Sequence, residues 1–124
     1  MKGVMPQEIE VWYILPALRK ECSKMMVEKG LTQREIAKML YITEAAVSQY
    51  LKGKRGGDLN FTEEIKKEMQ ESVNRLIKTG NIVQEFNMLC RKIRESEMLC
   101  DIHKKYGITP PECEQGVICI EKKT

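Results

Sequence analysis

Apolar residues recur along this chain at the three- and four-residue spacing of helices, and nearly every element they predict is helical. Pro6 can open the first helix, whose buried stripe is Ile9, Trp12, Tyr13, Leu18, Cys22, Met25 and Met26. Pro16 lies inside this stretch and lacks the backbone N–H that a helix needs, so two helical pieces or a kink near Leu15 is expected. Lys29-Gly30 ends the element. The Trp12–Tyr13 pair sits among apolar neighbours and reads as core rather than as a platform for stacking bases.

The next stretch, Leu31 to Arg55, predicts two short amphipathic helices joined by a tight turn. Thr32 can cap the first, with Glu35 completing a capping box, and Ile36, Ala37 and Leu40 share one face. Ala37 is small where two helices must approach closely. Thr43 caps the second helix, which turns Val47, Tyr50 and Leu51 inward. Its outward residues, Glu44, Ala45, Ser48, Gln49 and Lys52, are short or polar. Gly53 stops it, and Lys54 and Arg55 follow. A helical hairpin with a polar second helix and a basic exit is the layout of a helix-turn-helix, whose second helix enters the DNA major groove.

Gly56-Gly57-Asp58 then reads as a flexible joint. Beyond it, Phe61, Ile65, Met69, Val73, Leu76 and Ile77 form one stripe on a helix from Thr62 to Lys78, capped by Asn60 or Thr62 and ended by Gly80. Such a stripe needs a partner surface, and pairing of two chains is favoured over closure of the N-terminal core. A helix from about Ile82 to Arg94 and a shorter one through Met98–Lys105 follow. Gly107 and Pro110-Pro111 then break the pattern. Three segments result: 1–57, the helix-turn-helix unit; 58–80, the long amphipathic helix, for core or dimer packing; and 81–124, a cysteine-containing C-terminal segment.

Charge sharpens the reading of the hairpin. Helical hairpins also serve as dimerisation or scaffold modules. Here, however, residues 31–57 hold five basic and two acidic side chains, so the net charge of +3 on the whole chain can be assigned to that segment. Phosphates would lie there. At 124 residues the chain has room for one compact domain, or a small domain with an appendage. No apolar run approaches the ~20 residues needed to span a bilayer. Glu8 and Glu10 fall where a secretory signal would be apolar, which points to the cytoplasm. A single histidine, no glycine-rich phosphate loop and no G-x-S-x-G elbow argue against an enzyme.

The hairpin resembles the Cro/repressor (XRE) family through Thr32-Gln33, Glu35-Ile36-Ala37, Leu40, Ile42-Thr43, Val47-Ser48 and Gly53. The resemblance implies an all-α helix-turn-helix bundle, followed here by a long helix and the cysteine-containing segment. It also implies that Gln33 binds a phosphate, that Glu44, Ala45 and Gln49 read bases, and that Lys52, Lys54 and Arg55 sit near phosphates. With Thr43 and Ser48 these residues make up the candidate DNA-binding set. A homodimer on double-stranded DNA is the expected assembly, because one small module gives little affinity or specificity alone. The family's usual turn glycine is replaced by Tyr41, where a positive φ is costly, so a reshaped turn is expected.

The five cysteines form a second centre of chemistry. Cys22 stands apart on the first helix and reads as a small buried hydrophobe. Cys90, Cys100, Cys113 and Cys119 fall in the last third, separated by nine, twelve and five residues. Four thiolates suit a tetrahedral zinc or an iron–sulfur cluster, and His103, three residues after Cys100, is an alternative ligand. No C-x2-C pair is present, and Cys90 and Cys119 lie in apolar surroundings, so buried reduced thiols without metal are the competing reading. The chain as a whole also resembles a group of archaeal predicted transcriptional regulators. There an opening of the type PxEIEVWYILPALRK, here Pro6 to Lys20, precedes the helix-turn-helix and a cysteine-rich tail follows. That resemblance implies iron–sulfur binding, although Asn87 stands three residues before Cys90 where a paired cysteine is expected. The reading is thus a DNA-binding transcriptional regulator whose operator affinity a cluster or metal could modulate. The alternatives are a non-sensing DNA-binding module with structural zinc, or a protein-interaction module; no small-molecule substrate is expected.

Overall fold

A computed structural model of the chain describes residues 5–57, 59–96, 98 and 101–102. Within them the fold is all-α, with no strand. It opens with α1 (Pro6–Ile9), which runs through a π turn (Glu10–Ile14) directly into α2 (Leu15–Glu28). Then come α3 (Gln33–Leu40), α4 (Glu44–Leu51), α5 (Glu63–Thr79) and α6 (Ile82–Glu95).

The π turn is the local consequence of Pro16. Without an N–H at Pro16, the usual donor to the Trp12 carbonyl is missing, and the backbone widens by one residue. The Leu15 N–H accordingly reaches back to the Glu10 carbonyl, five residues away. The interruption expected near Leu15 takes the form of this π turn between two α-helical pieces, and it changes the register. Buried residues now step from Ile9 to Ile14 and then to Leu18, Cys22 and Met26. An uninterrupted helix would have passed from Ile9 to Trp12 and Tyr13. Trp12 is therefore not part of the core: it is 54% exposed, and Tyr13 is only partly buried.

The α2 helix is the centre of the molecule and touches α3, α4, α5 and α6. Ile36, Ala37 and Leu40 of α3 and Val47 of α4 meet it from one side, and Ile65, Met69, Val73 and Leu76 of α5 from another. Phe86, Leu89, Cys90 and Ile93 of α6 close the same cluster, and Met98 and Ile102 extend it. Each fully buried aliphatic side chain here stabilises the fold by roughly 1.5–3 kcal/mol. The α5 stripe from Phe61 to Leu76 is buried within one chain, so it completes the core and is not free to pair two chains. Of the expected shorter helix, Met98, Asp101 and Ile102 are described and helical; the rest lies outside the described residues.

Thr62, not Asn60, caps α5, accepting the Ile65 N–H at 3.2 Å. Gly80 ends it in the left-handed region, and Asn81 caps α6 at once, so the two helices form a tight hairpin. Paired charges record its antiparallel register: Arg75 faces Glu85, and Lys92 faces Glu68. Glu85 is nearly buried, and Arg75 donates to both its oxygens at 3.1–3.3 Å. Burial alone would raise the Glu85 carboxyl, but hydrogen bonds from Arg75 and Ser72 outweigh it and hold the carboxyl below its ordinary value. A third pair, Arg94 to Glu10 at 2.7 Å, ties the end of α6 to the π turn.

The segment after α4 is pinned where a flexible joint was expected. Lys20 on α2 donates its ammonium to the Gly57 carbonyl at 2.6 Å. Gly56 has φ +92°, and a Cβ there would lie 2.8 Å from the Lys20 Cβ and 3.1 Å from the Pro16 carbonyl. Only glycine allows the chain to cross α2 this closely. Asp58 lies outside the described residues.

Candidate nucleic-acid interface

Reciprocal hydrogen bonds set the start of α3. Thr32 Oγ1 accepts the Glu35 N–H at 3.1 Å, and Glu35 Oε1 accepts the Thr32 N–H at 2.9 Å. This capping box leaves Gln33 exposed at the first helical position, beside amides that carry the positive end of the helix dipole. Thr43 caps α4 through its hydroxyl, which accepts the Ala46 N–H at 3.0 Å.

The α4 helix divides cleanly. Ala46, Val47 and Tyr50 are buried, with Leu51 half-buried, while Glu44, Ala45 and Gln49 are exposed and Ser48 is half-exposed. Lys52 continues that outer face. Ala37 and Ala46, both small and buried, lie on the two packed helices α3 and α4. The role of Ala46 is one that sequence reasoning missed; its place one turn before Tyr50 was the available signal.

Both helices end in the same backbone motif. After α4, Gly53 takes φ +76° and the Lys54 N–H reaches the Gln49 carbonyl at 2.9 Å. After α3, Tyr41 takes φ +57°, ψ +47°, and the Ile42 N–H reaches the Ala37 carbonyl at 3.0 Å. The turn thus keeps the left-handed form that was expected to be reshaped, and Tyr41 bears the strain, about 1 kcal/mol for a residue with a Cβ. Its side chain is 76% exposed. Lys52, Lys54 and Arg55 are exposed at the exit, and the Arg55 guanidinium lies over the Tyr50 ring, 5.8 Å from its centroid. Arg34 and Lys38, one turn apart on α3, add two exposed cations that were counted in the sequence but not assigned to the surface.

Residues 23–56 match a family model described as helix-turn-helix. That stretch begins in α2 and ends at the glycine crossing, so it covers the geometry just described. Residues 23–56 are a helix-turn-helix. No curated protein and no solved structure matches the chain. Among the described residues, no helix is long and apolar enough to cross a membrane.

The candidate metal ligands stand apart from the helix-turn-helix. Cys90 is 8% exposed in the core; burial, then the nearby Glu10 carboxylate, push its thiol up to about 11 against the pull of Arg94 and Arg19. Cys22 is the buried hydrophobe expected, its thiol pushed up to about 12 by burial and then by Glu21. Cys100, Cys113, Cys119 and His103 lie outside the described residues. Among the described residues, no group of three or more His, Cys, Asp or Glu side chains is gathered to hold a metal ion.

Proposed function

We propose that the protein is a sequence-specific transcriptional regulator that binds double-stranded DNA in the cytoplasm as a homodimer. The observation that carries this reading is the outer face of α4: short and polar, capped by Thr43 at one end and basic at the other. On DNA, Glu44, Ala45 and Gln49 face base edges. A glutamine amide suits the paired donor and acceptor of adenine, a glutamate accepts from cytosine, and an alanine methyl packs on thymine. Ser48 borders them, and Thr43 holds the helix start in place. Gln33 and the α3 amides take one phosphate, and Lys52, Lys54 and Arg55 take others further along the strand. The family that residues 23–56 match is a DNA-binding one and not a catalytic one.

A finer part of the proposal is that the C-terminal cysteines hold an iron–sulfur cluster, or zinc, that modulates DNA binding. Cys90 is packed among apolar side chains of the core, a setting that suits a structural thiol better than a ligand. That part therefore rests on Cys100, Cys113, Cys119 and His103. Protein purified without oxygen is expected to carry iron and sulfide, or zinc, that Cys100→Ser removes and Cys90→Ala does not. Metal-free protein would reduce the reading to a plain DNA-binding regulator.

The experiment for the main reading is the salt dependence of DNA affinity. Log K is expected to fall linearly with log salt, and Lys52→Ala, Lys54→Ala and Arg55→Ala should each reduce the slope by about 0.9. Salt-independent behaviour without DNA retention would favour a protein-interaction module.

A further inference from the structure

The basic exit of α4 runs on an unusually permissive backbone. From Lys52 to Gly57 the sequence is KGKRGG, and Gly53, Gly56 and Gly57 take φ of +76°, +92° and +60°. Lys54 and Arg55, which the proposed interface sets on phosphates, lie between these glycines. Glycine loses more conformational freedom on ordering than any other residue. A contact made by a loop that is not already ordered loses that much affinity. Cations in such a stretch serve recognition only where something fixes the chain beforehand.

The near end is fixed by α4 itself. The Lys54 N–H reaches the Gln49 carbonyl at 2.9 Å, and the Arg55 guanidinium lies 5.8 Å from the centroid of the Tyr50 ring. The far end is fixed from another helix, by Lys20 on α2. The methylene stem of Lys20 is the floor on which Gly56 rests: a Cβ on Gly56 would lie 2.8 Å from the Lys20 Cβ and 3.0 Å from its Cδ. Its ammonium is the latch, donating to the Gly57 carbonyl at 2.6 Å. A charged donor makes the stronger class of hydrogen bond. No carboxylate competes for it, since Lys20 forms no ion pair among the described residues.

We propose that Lys20 is a positioning residue for DNA binding: it holds the α4 exit so that Lys54 and Arg55 are in place before a duplex arrives. The inference rests on the DNA-binding reading above. One of the three ammonium protons is committed to Gly57, and the other two leave a rival role, direct contact with a phosphate. The two roles part when Lys54 and Arg55 are removed. A latch then has nothing left to position, whereas a direct contact keeps its whole effect.

The test measures affinity of full-length variants for the duplex that the wild-type protein binds most tightly in a selection from random DNA. Salt is held constant, and circular dichroism checks folding. Lys20→Met keeps the stem and removes the donor, and it should bind about tenfold more weakly. Lys20→Arg, which keeps a charged donor, should stay within about threefold of wild type. Lys24→Met removes an exposed cation one turn further along α2 and should cost less than about twofold, the screened effect of one charge. In a Lys54→Ala/Arg55→Ala background, adding Lys20→Met should also cost less than about twofold. A full loss retained in that background makes Lys20 a phosphate contact and overturns the latch, while the DNA-binding reading stands. Equal losses in Lys20→Met and Lys24→Met reduce the effect to net charge and overturn it too. So does a Lys20→Met protein of wild-type affinity, or a Lys20→Arg protein no tighter than Lys20→Met. A wild-type protein that binds no duplex overturns the DNA-binding reading and the latch together. Should Lys20→Met unfold, Lys20→Gln, whose amide stops short of the Gly57 carbonyl, takes its place.

Discussion

The helix-turn-helix and the α5–α6 hairpin are both pairs of packed helices, yet they are held in different ways. In the first, α3 and α4 are eight residues each, and nearly every bond that shapes them is local: the Thr32–Glu35 box, the Thr43 cap and two left-handed turns. Its outer face stays polar and free of ion pairs among the described residues. In the second, helices of seventeen and fourteen residues are joined by Arg75–Glu85 and Lys92–Glu68 and tied to the π turn by Arg94–Glu10. The hairpin supplies stability to a small motif that could not bury its own inner face. The motif, relieved of that task, can dedicate its surface to recognition. On the DNA-binding reading, stability and recognition fall to different halves of the molecule.

That division breaks most visibly in the core. Leu89→Ala on α6 touches no recognition residue, but removing its buried side chain is expected to cost about 3 kcal/mol. Urea unfolding should show the loss, and DNA affinity at low temperature should be nearly unchanged in the fraction that remains folded. Gly56→Ala comes next, at roughly 2 kcal/mol, because a Cβ meets Lys20 and the Pro16 carbonyl at a positive φ. This change lies on the boundary between the halves, so it should lower both the melting temperature and DNA affinity.

A smaller effect separates the halves by pH. Glu85 has its carboxyl held below the ordinary value in the fold, so its contribution is fully present above the unfolded carboxylate pKa and is lost as pH falls through the folded one. Stability should therefore decline on the acid side, and Glu85→Gln should flatten that decline in a series of melts. Smallest of all, Tyr41→Gly relieves the left-handed strain and should stabilise by up to about 1 kcal/mol without weakening DNA binding. A loss of affinity in Tyr41→Gly would instead make the exposed phenol part of the recognition surface.

The two halves also differ in how much of them could be read before the structure. Thr32, Glu35, Thr43, Gly53, Thr62 and Gly80 act within a few residues of themselves, and caps and helix ends were legible from them. The outer residues of α4 followed from the same spacing. Three features were not legible, each because a local signal was settled by a distant contact. Pro16 announced an interruption, but whether it gives a kink or a π turn depends on what Ile9 and Ile14 pack against, and Trp12 moved with the answer. Gly56-Gly57 has the composition of a joint, yet Lys20, thirty-seven residues away in sequence from Gly57, pins it. The α5 stripe needed a partner, and spacing could not tell α2 and α6 from a second chain. Tyr41 teaches the converse: the surrounding helices impose the turn on a residue that disfavours it.

The central claim is that the outer face of α4 reads a DNA sequence. It is tested most directly by selecting binding sites from random duplex DNA with the full-length protein and with Gln49→Ala. The account predicts one enriched motif with two-fold symmetry, and in Gln49→Ala a preference relaxed at one position of each half-site by about 1–3 kcal/mol, with the remaining positions and the fold unchanged. No enriched sequence, or an identical motif for both proteins, would contradict it.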